Sequence, residues 1–167
     1  MLRVSAESGT FTNQQWGTKL APMWQEPEIV AIAKTMKLPK ADVTAIYLPG
    51  LLVATKAAAL ALEEEMIELL PAKVDRGAAR IVNPLFTIHR FREEGASFLR
   101  VPSGAVILLN GADFYAEDIP AAPSLFWLHD GNFPRFLLCT AEFVARVAKA
   151  GITGLTFTEL GHATTDA

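Results

Sequence analysis

The segment from Arg135 to Phe157 constrains the fold more than any other, because all its local signals agree on one arrangement. Phe136 to Leu138 form a short apolar run with the length of a buried strand. Thr140 stands where a helix N-cap is expected, and Glu142 lies in the first turn, where a negative charge complements the helix dipole. The apolar positions that follow share one face of a helix: Phe143, Val144, Val147 and Ala148.

The end of this helix is marked as clearly as its start. Lys149 lies in the last turn, and Gly151 falls where the chain needs a left-handed backbone. Ile152 is then placed to contact Val147, which is the hydrophobic contact of a Schellman motif. The segment therefore predicts a strand, a capped helix and a returning strand through Phe157.

An earlier segment has the same order of parts. Leu51–Thr55 is a short apolar run that ends in threonine, Lys56–Met66 has the composition of a helix, and Ile67–Pro71 predicts the returning strand. Thr55 and Ile67 are as far apart in sequence as Thr140 and Ile152. A duplication would explain the likeness, and so would the common pattern of short α/β units, so the origin stays open.

Other patterns predict further elements before and between these units. Met1–Val4 is a candidate strand, and Val43–Leu48 alternates loosely, as a strand does. Pro27–Lys37 predicts an amphipathic helix, because proline fits the first helical position and apolar residues recur at helical spacing. The short segments between residues 79 and 139 are separated by Gly and Pro turns, which favours antiparallel strands: Ala79–Asn83, Phe86–Phe91, Ser97–Val101, Ala105–Leu109, Leu125–His129 and, after the Asp130-Gly131 turn, Phe133–Cys139.

Together these patterns predict an α/β (α+β) fold: a mixed, largely antiparallel sheet with about three helices packed on it, including two similar strand–helix–strand units. We expect residues 1–25 to form an N-terminal arm anchored by Trp16 and Trp24. Residues 26–160 would form a single α/β domain, and residues 161–167 a polar, frayed tail. A chain of 167 residues buries enough surface to fold without a disulfide or a metal.

Composition argues against several classes of protein. No apolar run approaches the roughly 18 residues of a membrane span, and the N-terminus lacks the apolar core of a signal peptide. The single cysteine suits a reducing compartment. The net charge of −3 comes without a basic tract, so a nucleic-acid-binding surface is not expected. We therefore expect a cytoplasmic protein that binds neither membrane nor nucleic acid.

The sequence contains no spacing typical of a metal or nucleotide site. HxH, HExxH, CxxC, GxxxxGK[ST] and GxGxxG are all absent, so we expect no metal and no cofactor. His89 shares a strand face with Thr87 and Phe91, which predicts a half-buried histidine. His129 fits a hairpin tip, and His162 lies in the tail without an expected role.

Cys139 has the one suggestive position, between a strand and a helix N-terminus. That position can lower the pKa of a thiol and expose a nucleophile, with His129 or His89 as its base. Free cysteines are also among the most buried residues, and the earlier unit has Ala54 at the matching place. Packing is therefore the favoured interpretation, and a thiol enzyme remains an alternative.

The ordered set of these short segments resembles a family of bacterial immunity proteins, the immunity protein 11/43 type. The resemblance covers residues 45–160 and is carried by six segments in order: Leu48–Val53, Ile67–Val74, Ile81–His89, Ser124–Leu128, Phe136–Thr140 and Gly151–Phe157. It implies a cytoplasmic antitoxin that binds and neutralises a cognate toxin domain in interbacterial competition. It implies no catalytic residue and no cofactor.

Such a protein needs a stable scaffold and a charged rim that blocks the toxin. The acidic stretches offer two candidate toxin-binding surfaces, which could mimic phosphate if the toxin is a nuclease with a basic cleft. They are the 112–120 loop and the acidic end of the first helix, with seven candidate residues: Asp113, Tyr115, Glu117, Asp118, Glu63, Glu64 and Glu65. A module that binds a small ligand between helices and sheet is the main alternative.

Overall fold

The protein has a strand-rich α+β fold in the described part of the chain. A computed structural model describes the following residues: 2–4, 17–26, 28–31, 41–45, 52–74, 77–100, 102, 106–121, 125–129 and 136–165. The elements of this part are β1 (Leu2–Val4), β2 (Glu28–Ala31), β3 (Val43–Ala45), β4 (Leu52–Thr55), α1 (Lys56–Leu62), β5 (Ile67–Val74), β6 (Gly77–Pro84), β7 (Thr87–Ile88), β8 (Arg92–Arg100), β9 (Val106–Tyr115), β10 (Leu125–Leu128), β11 (Phe136–Cys139), α2 (Ala141–Lys149) and β12 (Ala163–Thr164).

The largest sheet has six strands in the order β1-β2-β5-β6-β4-β3. Its neighbours are antiparallel except for β2 and β5. The β5–β6 hairpin is fully paired, from Ile67 opposite Pro84 to Val74 opposite Gly77. Strand β4 lies on the other side of β6. The β4–α1–β5 unit is therefore split, because β6 lies between its two strands.

Alternation along these strands gives the six-stranded sheet a core on each face. Helices α1 and α2 cover one face, where Leu62 and Phe143 are fully buried with Leu52, Ala54 and Val82. The opposite face carries the other side chains of the same strands. Four of these side chains pack against Leu20 and Trp127: Val53, Leu70, Ala72 and Ile81.

Strand β10 joins this sheet to the rest of the molecule. It pairs with β11 on one side and β7 on the other, and all four of its residues are buried. Leu125 and Trp127 face the cores of the large sheet, whereas Phe126 and Leu128 face a third core. That third core lies under the sheet β12-β9-β8. An uninterrupted apolar run suits a strand that is covered on both faces.

Both helices begin at the threonines that the sequence marks. Thr55 Oγ1 accepts the amide of Ala58 at 3.2 Å, and Thr140 Oγ1 accepts the amide of Phe143 at 3.3 Å. Helix α2 ends in a Schellman motif, because the amides of Gly151 and Ile152 donate to the carbonyls of Ala148 and Val147. Gly151 has the expected positive φ of 64°.

Helix α1 is shorter than predicted. It ends at Leu62 instead of Met66, and Glu63 already has an extended backbone. Three consecutive carboxylates would oppose the dipole at a helix C-terminus. The chain must also return to Ile67, which is buried in the sheet. The helix therefore stops once Leu62 has reached the core.

The described part of the chain contains two α-helices, not about three. The prediction of a helix over Pro27–Lys37 is wrong for residues 28–31, which form β2. Ile29 and Val30 are β-branched, and β2 pairs with both β1 and β5. Tertiary pairing therefore overrides the helical spacing of the apolar residues. Pro27 and residues 32–37 lie outside the described part.

The second strand–helix–strand unit lacks its returning strand. Residues 152–157 are not a strand, and Thr153 contacts the start of β3 instead. The Thr153 amide and hydroxyl both donate to Asp42 Oδ2, at 2.9 and 2.8 Å. The Val43 amide donates to the Thr153 carbonyl at 3.1 Å. The likeness between the two units is thus limited to strand, threonine cap and helix.

Residues 161–165, where we predicted the start of a frayed tail, include a paired strand. Ala163 and Thr164 form β12, which runs parallel to Phe114 and Tyr115 of β9. The first part of the predicted 112–120 loop is also more regular than predicted, because β9 continues through Tyr115. Pairing with β8 and β12 supplies backbone partners that local sequence does not reveal.

The predicted strand Phe86–Phe91 is reduced to Thr87–Ile88 of β7, which pairs parallel with β10 and not antiparallel as predicted. The other strand predictions agree with the structure where it describes them, apart from their exact bounds. Leu2–Val4 is a strand, and β10 and β11 pair antiparallel as the hairpin signal predicts. Trp16, residues 46–48 and the Asp130-Gly131 turn lie outside the described part. No helix in the described ranges is both long enough and apolar enough to cross a membrane.

Candidate functional site

The seven residues predicted to contact a partner lie in two different elements. Asp113 and Tyr115 belong to the end of β9, and Glu117 and Asp118 lie in the 3-10 turn that follows it. Residues 63–65 follow α1, the helix that packs on the six-stranded sheet. The predicted 112–120 loop is therefore a strand end and a turn, and the two acidic groups belong to separate sheets.

Arg90 forms ion pairs with the acidic residues of this turn and so compensates their negative charge. Its Nη2 lies 3.0 Å from Glu117 Oε1 and 3.2 Å from Asp118 Oδ1, and its Nε donates to Asp118 Oδ2. The hydrogen bond from Arg90 lowers the pKa of the Asp118 carboxyl. The Arg90 and Arg92 guanidinium carbons lie 4.2 and 4.6 Å from the centre of the Tyr115 ring. This surface is a cation–aromatic cluster more than an acidic one.

Nothing in the local sequence indicates that role for Arg90, because its acidic partners are 27 and 28 residues away. Asp113 likewise has an internal role. Its Oδ1 accepts the amide of His162 at 3.0 Å and so fastens the segment that leads into β12. Gly161 lies against the same strand, where an added Cβ would come within 2.2 Å of the Ala112 carbonyl oxygen.

Glu64 is also engaged internally. Its Oε2 lies 2.8 Å from Arg146 Nη2 of α2, and the two side chains are only 14% and 29% exposed. Glu63 and Glu65, in contrast, are exposed. Of the acidic triplet, only these two carboxylates are freely presented to solvent.

The histidines differ in part from their predicted positions. His89 is exposed, not half-buried, because β7 ends one residue before it. Its Nδ1 lies 3.1 Å from the His129 carbonyl oxygen. The backbone of His162 bonds to β9, and its ring is exposed with Nε2 3.7 Å from Glu159.

A groove of about 830 Å³ lies between β11, the start of α2 and residues 156–163. Its apolar wall includes Phe114, Phe126, Leu138 and Phe157. Cys139 also lines the groove, and burial raises the pKa of its thiol to about 11. Loss of solvation therefore disfavours the thiolate form of Cys139.

The ionisable groups around this groove come from two distant parts of the sequence. Glu142 lies in the first turn of α2, and Glu159 and His162 lie in the segment that crosses back to β9. No pattern predicted that these residues share a groove, because the chain between them forms a helix and an irregular return. Their meeting depends on the docking of residues 160–164 along β9.

A second unpredicted feature lies on the β8–β9 hairpin. Leu99 and Leu108 are directly opposite each other in the register, and they are 50% and 47% exposed. The neighbouring pair, Phe98 and Leu109, points the other way and packs in the third core. Strand alternation predicts two such faces, but the sequence does not say that both would be apolar or which one the protein covers.

In the described ranges, no three His, Cys, Asp or Glu side chains are grouped so that they could hold a metal ion. Comparison with models of known protein families and with curated proteins finds no match for this chain.

Proposed function

We propose that this protein is an immunity protein that binds a cognate secreted bacterial toxin and occludes the toxin's active site. The resemblance described above suggests this function. The observation that supports it best is the Leu99–Leu108 pair, which presents two large apolar side chains on one exposed sheet face. Adjacent exposed leucines supply apolar area that a partner protein can bury.

The scaffold suits a role in binding. Phe98 and Leu109 anchor the hairpin from its inner face, so Leu99 and Leu108 are held in position before a partner arrives. Preorganised side chains lose little conformational entropy on binding, which favours affinity.

The direct test uses the toxin domain that an adjacent reading frame would encode at the C-terminus of a large secreted protein. Co-expression of our protein should restore growth of cells that make this domain, and the two purified proteins should form a complex. Leu99→Lys and Leu108→Lys should each weaken that complex at least about tenfold, because a buried charge replaces an apolar contact.

Met23→Lys is the control, because Met23 is an exposed apolar residue in the short helical turn Ala21–Met23, outside the hairpin. It should leave affinity unchanged. Full protection by the two hairpin variants would remove this surface from the proposal. The absence of any complex with the wild-type protein would contradict the function itself.

Two alternatives have a specific observation in their favour. The groove beside Cys139 has the volume of a small-ligand site, so a metabolite-binding module would show thermal stabilisation in a screen of common metabolites. Cys139, His162 and Glu159 all line that groove, which places a thiol, an imidazole and a carboxylate around one cavity. The raised pKa of Cys139 argues against the enzyme. Undiminished protection by Cys139→Ser would exclude it.

A further inference from the structure

The groove beside α2 combines an apolar wall with a rim that carries two carboxylates and, among its described residues, no lysine or arginine. Glu142 and Glu159 are exposed carboxylates, and no lysine or arginine is among the described residues that line the groove. In the described part of the chain, Glu142 has no ion-pair partner, and the one ion pair of Glu159 is with the His162 ring, at 3.7 Å. These two charges therefore differ from those of Glu64, Glu117 and Asp118, which arginines already compensate.

An aromatic ring lies in the same groove. Phe157 is 37% exposed, and its ring packs edge-on against buried Phe143 with the ring centres 6.4 Å apart. This contact holds the ring while one part of it faces solvent. An aromatic face near carboxylates attracts a cation through its quadrupole, in addition to the charge–charge attraction.

The positive end of the α2 helix dipole opposes the binding of a cation in the groove only weakly. A helix N-terminus is equivalent to about half a positive charge, whereas Glu142 alone contributes a full negative charge in the first turn. Thr140 Oγ1 already accepts the amide of Phe143. The net field at the groove therefore favours a cation.

We propose that this groove receives a lysine or arginine side chain, with its apolar neighbours, from a segment of the toxin partner. The inference rests on the proposed function and extends it to a second contact surface. The stem of the basic side chain lies along Leu138 and Phe157, and its charged end lies near Glu142 and Glu159. A groove of about 830 Å³ has room for the apolar residues on either side of it.

The test uses two pentapeptides with blocked ends, one with a central lysine between two leucines and one with glutamate in place of that lysine. Nuclear magnetic resonance titration of the full chain should show amide shifts in residues 139–144 and 156–162 with the lysine peptide only. Glu142→Gln combined with Glu159→Gln should weaken this binding about three- to tenfold.

Glu93→Gln combined with Glu94→Gln is the control, because it removes the same charge from exposed sites outside the groove. This control should bind as the wild type does. Failure of the lysine peptide to bind, equal binding of the glutamate peptide, or equal weakening by the control pair would overturn the inference. Shifts of the same size with free hexylamine would assign the groove to a small ligand and would also overturn it.

The toxin domain separates this inference from the proposed function. If that domain binds the wild type and the Glu142→Gln/Glu159→Gln variant equally, the groove inference fails and the antitoxin proposal stands. If the lysine peptide binds but the toxin domain neither binds nor is neutralised, the antitoxin proposal fails and the groove remains a site for a basic segment.

Discussion

Gly154 shows how one residue fixes the path of the chain after α2. Its φ is +94°, and a Cβ at this position would lie 2.0 Å from the Val43 carbonyl oxygen. The surrounding contacts leave little room for adjustment, because Asp42 and Thr153 bond to each other through backbone and side chain. Glycine is therefore needed here for both its backbone conformation and its lack of a side chain.

Gly154→Ala should lower the free energy of unfolding by about 3 kcal/mol or more, from left-handed strain together with the clash. Chemical denaturation measures this loss. Gly151→Ala is the matched control, since Gly151 also has a positive φ of 64° but an added Cβ would meet no atom within 4 Å. It should cost only about 1–2 kcal/mol. Equal losses in the two variants would mean that the clash at Gly154 is relieved by a shift of β3.

Cys139 should react slowly at neutral pH. Burial raises its pKa to about 11, above the usual value of roughly 8.5, so the thiolate is scarce below that pH. Alkylation by iodoacetamide at pH 8 should be about a hundredfold slower than that of glutathione. The rate should rise about tenfold with each pH unit from 7 to 10 and should level off only near 11. Rapid alkylation at pH 7 would restore the thiol-enzyme alternative.

At the scale of secondary-structure elements, one ion pair ties the end of the first unit to the helix of the second. Arg146 of α2 reaches Glu64, which follows α1, and both side chains are largely shielded from solvent. The Arg146 guanidinium carbon also lies 5.2 Å from the centre of the Phe143 ring. This pair helps the two helices to cover the same face of the six-stranded sheet.

A double-mutant cycle with Glu64→Gln and Arg146→Met should give a coupling energy of about 1–2 kcal/mol, because shielding strengthens the attraction relative to a surface pair. Urea denaturation of the two single variants and the double variant measures it. Glu63→Gln, one residue away and exposed, should change stability by less than about 0.5 kcal/mol. A coupling near zero would show that solvent screens the pair.

At the scale of the whole molecule, a buried polar network fastens the segment 17–24 to the six-stranded sheet. Asn83 is fully buried and lies opposite Glu68 in the β5–β6 register. Its Nδ2 donates to the Thr18 carbonyl and to Glu68 Oε2, both at 3.0 Å, and its Oδ1 accepts the amide of Gly17. Glu68 in turn accepts the amide of Leu20 at 2.8 Å. Leu20 can therefore remain buried in the core.

Asn83→Leu should destabilise the protein by at least about 2 kcal/mol, because it leaves buried backbone groups without partners. It should also speed tryptic cleavage after the exposed Lys19. Asn110→Leu, at an exposed position in β9, serves as the control and should change neither quantity. Unchanged cleavage in Asn83→Leu would show that Leu20 and Trp24 hold the segment without the network.

Local signals sufficed wherever structure depends on nearby residues. Thr55, Thr140 and Gly151 predicted the helix boundaries that they occupy, because caps and left-handed stops act within a few residues. Ile29 and Val30 show the limit of such signals. Their spacing suited a helix, but pairing with β1 and β5 places them in a strand. Propensity differences are small beside the hydrogen bonds and burial that a sheet supplies.

The candidate sites were predictable to a lesser extent. The acids Glu117 and Asp118 were singled out from sequence, yet Arg90 compensates them from 27 and 28 residues away. The Leu99–Leu108 pair depends on the register of two strands, and that register has irregularities that alternation alone does not specify. Glu142 and Glu159 line one groove only because the chain returns from α2 to pair with β9.

By itself the sequence determined where the two helices begin and where α2 ends, because caps and left-handed stops act within a few residues. Only the tertiary structure decided which strands are neighbours, which charges are compensated and which apolar residues stay exposed. These outcomes depend on contacts between residues far apart in the chain, such as Asp42 with Thr153 and Glu64 with Arg146. No local pattern encodes such contacts.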